Sequence, residues 1–178
     1  MRTRIIFLNL LLSVLVAGST TAQERTVYKD GYYVRVGDMA PDFKIVESGG
    51  AEYKLSDLKG NVVMLQFTAS WCSVCRKEMP FIEDEIWKTG KDKGLKIVGI
   101  DRDEPLETVK KFKTDIKVTY PLSLDPGADI FGLFADKQAG VTRNVIIDRD
   151  GKIIFLTRLF EREEFDTMKK VIFDELNR

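Results

Sequence analysis

Histidine is absent from all 178 residues of the chain. Its absence excludes Ser-His and Cys-His dyads and most zinc, copper and haem sites, in which imidazole is the usual base or ligand. Cysteine occurs only twice, which is too few ligands for a metal held by cysteine alone. Lysine plus arginine equals aspartate plus glutamate at 28 each, so no basic excess favours nucleic acid. We therefore expect no metal, no other cofactor and no nucleic-acid partner.

The chain begins with a short basic stretch followed by an apolar run over residues 5–18. Small and polar residues follow as far as Ala22, a pattern typical of a secretory signal peptide and its cleavage site. An uncleaved membrane anchor is the alternative, although the run is shorter than the roughly 20 residues of a spanning helix. We predict a signal peptide over 1–22, an N-terminal extension over 23–36, one domain over 37–178 and an exported, periplasmic protein.

Beyond the extension, apolar runs typical of strands alternate with amphipathic segments typical of helices. The predicted strands cover 43–46, 62–67, 95–100, 145–147 and 153–156, and the predicted helices cover 72–88, 104–116, 128–134 and 162–176. This alternation predicts an α/β fold with a central mixed β-sheet flanked by helices. The last two strands are expected to form an antiparallel hairpin.

Single residues predict local features of these elements. Ser56 is expected to cap a helical turn over 56–60, and Asp103 is expected to cap the helix that follows it. Pro80 lies inside the predicted helix 72–88 and is expected to kink it. The stretch that contains Tyr120 and Asp125 is expected to be a loop, since prolines and a glycine interrupt it.

Cys72 and Cys75 are three residues apart at the junction of a predicted strand and a predicted helix. A disulfide between them would close a loop too short to add much stability, which indicates a chemical role for the pair. The N–H groups and dipole of a helix N-terminus stabilise a thiolate there. This favours Cys72 as the nucleophile and Cys75 as the thiol that resolves the mixed disulfide. An inert disulfide is the alternative.

Residues 69–80 read Ala-Ser-Trp-Cys-Ser-Val-Cys-Arg-Lys-Glu-Met-Pro. This segment resembles the active-site segment of the TlpA/ResA branch of the thioredoxin superfamily, which are extracytoplasmic thiol-disulfide oxidoreductases. The resemblance extends over about 37–176, and the tryptophan and proline around the cysteines make it specific. It implies a thioredoxin-like fold, disulfide-containing protein substrates and a membrane electron donor. It also favours reduction of the substrate as the direction of exchange.

The same resemblance implies roles for two neighbours of the cysteines. Trp71 would shield the disulfide and pack under the substrate, and ordinary core packing is the alternative. Glu78 matches a glutamate that tunes the cysteines in the ResA type. A carboxylate one turn beyond Cys75 can accept or return its proton. The alternative for Glu78 is a solvated charge on the helix surface.

The chain departs from the family pattern at two positions. Gln66 stands where thioredoxins carry a buried acid, which leaves proton handling to the glutamate or to water. Thr142 stands where the family has a cis-proline facing the disulfide. We expect a trans Val141–Thr142 bond, and the backbone of Val141 is expected to face the substrate. The Thr142 hydroxyl is expected to bond the Cys72 thiolate, and Arg143 to add positive charge there; a loop residue without a role is the alternative.

Three functions remain open at this point. A thiol-disulfide oxidoreductase is favoured by the cysteine pair and by the resemblance. A peroxiredoxin-like thiol peroxidase is an alternative, but such enzymes place a threonine three residues before the reactive cysteine. Here Thr68 lies four residues before Cys72, and the earlier proline of those enzymes is missing. A non-catalytic thioredoxin-fold binding module, with its cysteines permanently oxidised, is the third possibility.

Overall fold

The computed structural model describes residues 25–178, so the predicted signal peptide lies outside the described residues. The strands are β1 Lys44–Val46, β2 Glu52–Lys54, β3 Val62–Thr68, β4 Leu95–Arg102, β5 Leu122–Asp125, β6 Arg143–Ile147 and β7 Ile153–Arg158. The helices are α1 Ser73–Phe81, α2 Lys88–Gly90, α3 Leu106–Ile116, α4 Phe131–Phe134 and α5 Arg162–Leu176, with a π-helical segment Ile82–Trp87 between α1 and α2. Across this range, none of the helices has the length and apolar character that a membrane crossing requires.

Five strands form the central sheet in the order β5-β4-β3-β6-β7, and β1 and β2 form a separate hairpin. β3 runs parallel to β4, and β4 runs parallel to β5. β6 is antiparallel to both β3 and β7. Every residue of β3 is buried, which explains why its run of apolar residues is nearly continuous. The predicted mixed sheet and its closing hairpin are confirmed.

Apolar side chains cover both faces of this sheet. One face packs against α1, the π-helical segment, α3 and α5, through residues that include Met79 and Phe165. The other face packs against α4, the β1–β2 hairpin and the extension, through residues that include Phe131, Ile45 and Tyr32. The central strands are therefore enclosed between two apolar layers, and the cysteine pair lies where β3 leads into α1.

The described part of the extension is attached to the domain. Tyr32 is buried, forms a β-bridge with Ala135, and donates a hydrogen bond from its hydroxyl to the Thr157 carbonyl at 2.7 Å. Lys29–Gly31 forms a single 3₁₀ turn just before it. The extension therefore completes the core on its face of the sheet.

Both predicted helix caps are wrong. The first turn is a 3₁₀ helix over Leu55–Leu58 whose N-cap is Lys54, and Ser56 donates from its N–H and its hydroxyl to Asp42. Asp103 has a left-handed φ of 58° and accepts the N–H of Gly127, while α3 begins only at Leu106. In each case the side chain that was predicted to cap the nearest helix forms a hydrogen bond with a residue distant in sequence instead.

Two element boundaries also differ from expectation. The stretch predicted as a loop contains β5, a four-residue strand that directly follows Pro121 and pairs only with β4 within the central sheet. Proline is tolerated beside such an edge strand, so the presence of Pro121 does not exclude a strand here. The predicted helix 72–88 continues through Pro80 but widens into a π-helix at Ile82. The N–H of Ile82 points at the carbonyls of both Glu78 and Met79.

Candidate active site

The two cysteines form a disulfide at the start of α1. Their Cα atoms are 5.3 Å apart, within the usual range for a disulfide. Cys72 is the N-cap residue of α1, and its Sγ accepts the backbone N–H of Cys75 at 3.2 Å. A helix N-cap normally uses a side-chain oxygen for this bond, so the sulfur here occupies the position that best stabilises a negative charge.

The two sulfurs differ in their access to solvent. Cys72 is 7% exposed, whereas Cys75 is completely buried. A substrate can therefore approach the pair only from the side of Cys72. This order follows from the helix, because the N-cap lies at the surface and the residue three positions later faces inward.

Thr142 lies against both sulfurs. Its Oγ1 is 3.1 Å from Sγ of Cys72 and 3.3 Å from Sγ of Cys75. The peptide bonds of the described residues are all trans, so the prediction of a trans Val141–Thr142 bond is confirmed. The carbonyl of Thr142 accepts the N–H of Leu159, which ties this loop to the end of β7.

Glu78 is buried on the inner side of α1, so the alternative of a solvated helix charge is wrong. The amide Nδ2 of Asn144 donates to its Oε1 at 2.6 Å. Burial raises the pKa of Glu78 to about 7, and the amide groups of Asn144 and Gln66 oppose the rise. Gln66 is itself fully buried, and its Oε1 accepts the hydroxyl of Tyr120 at 2.7 Å. The site therefore contains a buried carboxyl whose pKa is raised to near neutral pH.

Trp71 is 65% exposed, so the alternative of core packing is wrong. The residue before it, Ser70, donates from its N–H and its hydroxyl to Glu104 at 2.5 and 2.6 Å. Arg76 of α1 donates to the Ser70 carbonyl at 3.3 Å. The loop that carries the tryptophan is thus fixed at Ser70 while the indole faces solvent.

Within residues 25–178, the side chain of Arg143 forms no hydrogen bond with either cysteine of the disulfide. Its Nε donates to the Gly140 carbonyl at 3.0 Å, and its Nη2 donates to the Asp30 carbonyl at 2.6 Å. The guanidinium also lies over the ring of Tyr32, 4.5 Å from its centroid. These bonds therefore do not support the predicted effect of the Arg143 charge on Cys72.

Sequence reasoning missed several residues that shape the site. Asn144 holds Glu78 from β6, and Ser70 and Glu104 fix the loop before the cysteines. Asn144 lies two residues after Thr142 on β6, the strand next to β3, and it pairs with Gln66 of β3. This strand register is the one signal that could have placed Asn144 near Glu78. No sequence spacing indicates the contact between Ser70 and Glu104, which joins residues 34 positions apart.

Comparison with known proteins agrees with this geometry. A family model described as AhpC/TSA matches residues 36–156. The thiol-disulfide oxidoreductase ResA of Bacillus cereus is 30% identical over 153 residues, which cover 86% of this chain and 87% of that protein. ResA of Oceanobacillus iheyensis is 35% identical over 137 residues, which cover 75% and 71% of the two chains.

Solved structures give the same result. The solution structure of a candidate protein disulfide isomerase from Bacteroides thetaiotaomicron is 58% identical, with a TM-score of 0.81 over 83% of this chain and 94% of that one. A candidate thiol:disulfide interchange protein DsbE from Chlorobium tepidum is 29% identical, with a TM-score of 0.70 over 80% and 99% of the chains. The chain therefore belongs to the AhpC/TSA family and, within the thioredoxin superfamily, to the ResA-like thiol-disulfide oxidoreductases, enzymes that exchange disulfides through a Cys-x-x-Cys pair.

Proposed function

We propose that this oxidoreductase reduces disulfides of exported proteins, with Cys72 as the attacking thiol and Cys75 as the resolving thiol. The observation that carries the proposal is the asymmetry of the pair, since only Cys72 reaches solvent and its sulfur caps α1. The Cys72 thiolate attacks one sulfur of the substrate disulfide, forms a mixed disulfide and releases a substrate thiolate. Cys75 then attacks Cys72, which releases the second thiolate and leaves the enzyme oxidised by two electrons.

Glu78 is the proposed proton acceptor for the second step. Cys75 must lose its proton as it attacks, and Glu78 lies three residues further along the same helix, where side chains are neighbours. A carboxyl with a pKa of about 7 is partly ionised at neutral pH and can take up that proton. The bond from Asn144 holds one carboxylate oxygen in place and leaves the other, Oε2, without a hydrogen-bond partner in the described part of the chain.

The substrate is proposed to contact Trp71, Val141 and Thr142. Trp71 offers an exposed apolar surface directly before the attacking cysteine. The backbone of Val141, a residue that is only 3% exposed, forms no hydrogen bond with other backbone groups of residues 25–178, and it is proposed to pair with an extended substrate strand. Arg143, which sequence reasoning placed with the substrate contacts, is proposed to support this loop through its bond to Gly140.

Export, cleavage near Ala22 and a membrane electron donor complete the proposal. The basic and apolar start of the chain supports export. A reductase outside the cytoplasm needs two electrons after each turnover to restore its dithiol, and the membrane is the nearest route from the reducing cytoplasm. The site geometry disfavours the peroxidase alternative, because the hydroxyl of Thr68 bonds the sulfur of Met79 at 3.4 Å and not that of a cysteine.

The test is to trap the mixed disulfide. The full-length Cys75→Ala variant, expressed in the exported compartment, is expected to accumulate adducts on Cys72 that a reductant releases. The matched Cys72→Ala variant should trap none. Adducts that form on Cys75 in preference would overturn the assignment of roles. The direction of exchange is tested with the reduced wild-type protein. It should reduce an insulin disulfide, and each molecule of the enzyme should lose its two thiols as the disulfide between Cys72 and Cys75 forms.

A further inference from the structure

Asp101 is a fully buried acid that disulfide exchange, as described above, does not use. It lies near the C-terminal end of β4, opposite Thr68 of β3. Neither of its carboxyl oxygens accepts a hydrogen bond from a donor among residues 25–178. A buried carboxylate without a donor is costly, so this group is stable only as a neutral acid, which needs an acceptor for its own proton.

Glu104 supplies such an acceptor. It lies just past the end of β4, and its two oxygens receive the N–H and the hydroxyl of Ser70. Ser70 is two residues before Cys72, in the loop that leads from β3 into α1. The position of this loop therefore depends on the carboxylate of Glu104. Glu104 follows Asp101 by three residues, and its negative charge contributes to the raised pKa of Asp101.

Burial and the neighbouring negative charges both favour the protonated form of Asp101. Burial raises its pKa to about 8, with further contributions from the negative charges of Glu104 and Asp125. The cation on the facing helix, Arg76, bonds the carbonyl of Ser70 and not Asp101. Within residues 25–178, no group of three or more metal-binding side chains occurs.

We propose that Asp101 is a positioning residue for disulfide exchange: its neutral carboxyl donates a hydrogen bond to Glu104, and this acid pair holds Ser70 and with it the loop that carries Cys72. The inference deepens the proposed function and rests on it, since a fixed loop matters only if Cys72 attacks substrate. When Asp101 loses its proton, two carboxylates face each other and the hold on Ser70 weakens. The loop before Cys72 is thus expected to respond to mildly alkaline pH.

The oxidised protein allows a direct test. Its cysteines do not titrate and it has no histidine, so few groups change charge between roughly pH 6 and 9. The ¹H–¹⁵N resonance of the Ser70 amide, which bonds Glu104, is followed through this range in the oxidised full chain. The wild-type resonance should shift with a midpoint near pH 8. The Asp101→Asn variant, whose amide donates at every pH, should show no such shift.

Three further variants separate the causes. Glu107→Gln removes an exposed acid on α3 and should leave the midpoint unchanged. Glu78→Gln removes the other carboxyl of the site that titrates near neutral pH, and should also leave it unchanged. Glu104→Gln removes the neighbouring charge and should lower the midpoint by one pH unit or more, which tests the pair even if Asp101→Asn does not fold.

A wild-type Ser70 resonance that does not move, or one that moves identically in Asp101→Asn, would overturn the inference. Neither result bears on the proposed function, because the oxidised protein turns over no substrate during the titration. The functional consequence is measured separately, as the alkylation rate of Cys72 in the reduced protein. Its pH profile should lose a component near pH 8 in Asp101→Asn and keep it in Glu107→Gln.

Discussion

The hydroxyl oxygen of Thr142 lies 3.1 Å from the sulfur of Cys72. A threonine hydroxyl can donate a hydrogen bond to a thiolate. The same hydroxyl is 3.3 Å from the sulfur of Cys75, so it can follow the negative charge as it moves between the sulfurs during exchange. A hydrogen-bond donor thus lies within reach of both sulfurs of the pair.

The Thr142→Val variant should have a less acidic Cys72 thiol. A hydrogen bond to a charged group contributes about 1.5–3 kcal/mol, which corresponds to a rise in pKa of about one to two units. The measurement is the alkylation rate of reduced Cys72 as a function of pH. Thr142→Ser is the matched control, since it keeps the hydroxyl and should keep the wild-type midpoint. Equal midpoints for valine and serine would contradict the predicted bond.

The pair should also be alkylated in a fixed order. In the reduced protein near neutral pH, a limiting amount of iodoacetamide should label Cys72 first, because Cys75 is fully buried and Cys72 caps α1. Peptide mass spectrometry gives the ratio of the two labels. The Cys72→Ala variant is the control and should react slowly under the same conditions. Preferential labelling of Cys75 in the wild type would reverse the roles assigned here.

Glu78 should make the protein less stable as pH rises through mildly acidic values. The folded protein keeps a proton on Glu78 up to about pH 7, whereas the unfolded chain loses it near 4.5. Because the unfolded state binds fewer protons in this window, the free energy of unfolding falls with rising pH, by about 3 kcal/mol in all, and is constant above it. Denaturant unfolding of the oxidised protein at several pH values measures this fall.

The matched variant for that experiment is Glu78→Gln, which cannot ionise. The difference in the free energy of unfolding between wild type and variant should move against the wild type from about pH 4.5 to 7. A difference that stays constant with pH would show that Glu78 is already ionised when buried. The comparison also cancels the contribution of Asp101, whose raised pKa acts with the same sign in both proteins.

The elements with regular patterns were predictable from sequence. Helix α5 spans Arg162–Leu176 as expected, because its buried Phe165, Met168 and Ile172 recur at helical spacing. Strand β3 was predictable because a run of apolar residues with branched side chains suits a strand buried on both faces. The cysteine pair was predictable because its spacing and its place before a helix are local properties.

The polar surroundings of the pair were not predictable. The burial of Glu78 depends on Asn144 and Gln66, which come from two neighbouring strands, and no local pattern of α1 reveals it. Asp103 looked like a helix cap, but its partner Gly127 lies 24 residues away. Buried polar contacts of this kind depend on sheet order and register, which a single sequence does not determine.

Trp71 should contribute to binding of protein substrates and little to stability. Because 65% of the side chain is exposed, Trp71→Ala should change the free energy of unfolding by no more than about 0.5 kcal/mol. The same change removes a large apolar contact beside Cys72, so KM for a protein disulfide should rise several-fold. A small disulfide such as oxidised glutathione does not extend over the indole, so it should react with Trp71→Ala at the wild-type rate. Val36→Ala, at another exposed apolar residue, is the control and should leave both substrates unaffected. Equal losses with the large and the small disulfide would instead assign Trp71 to the chemistry of Cys72, because only a change at the sulfur acts on both substrates alike.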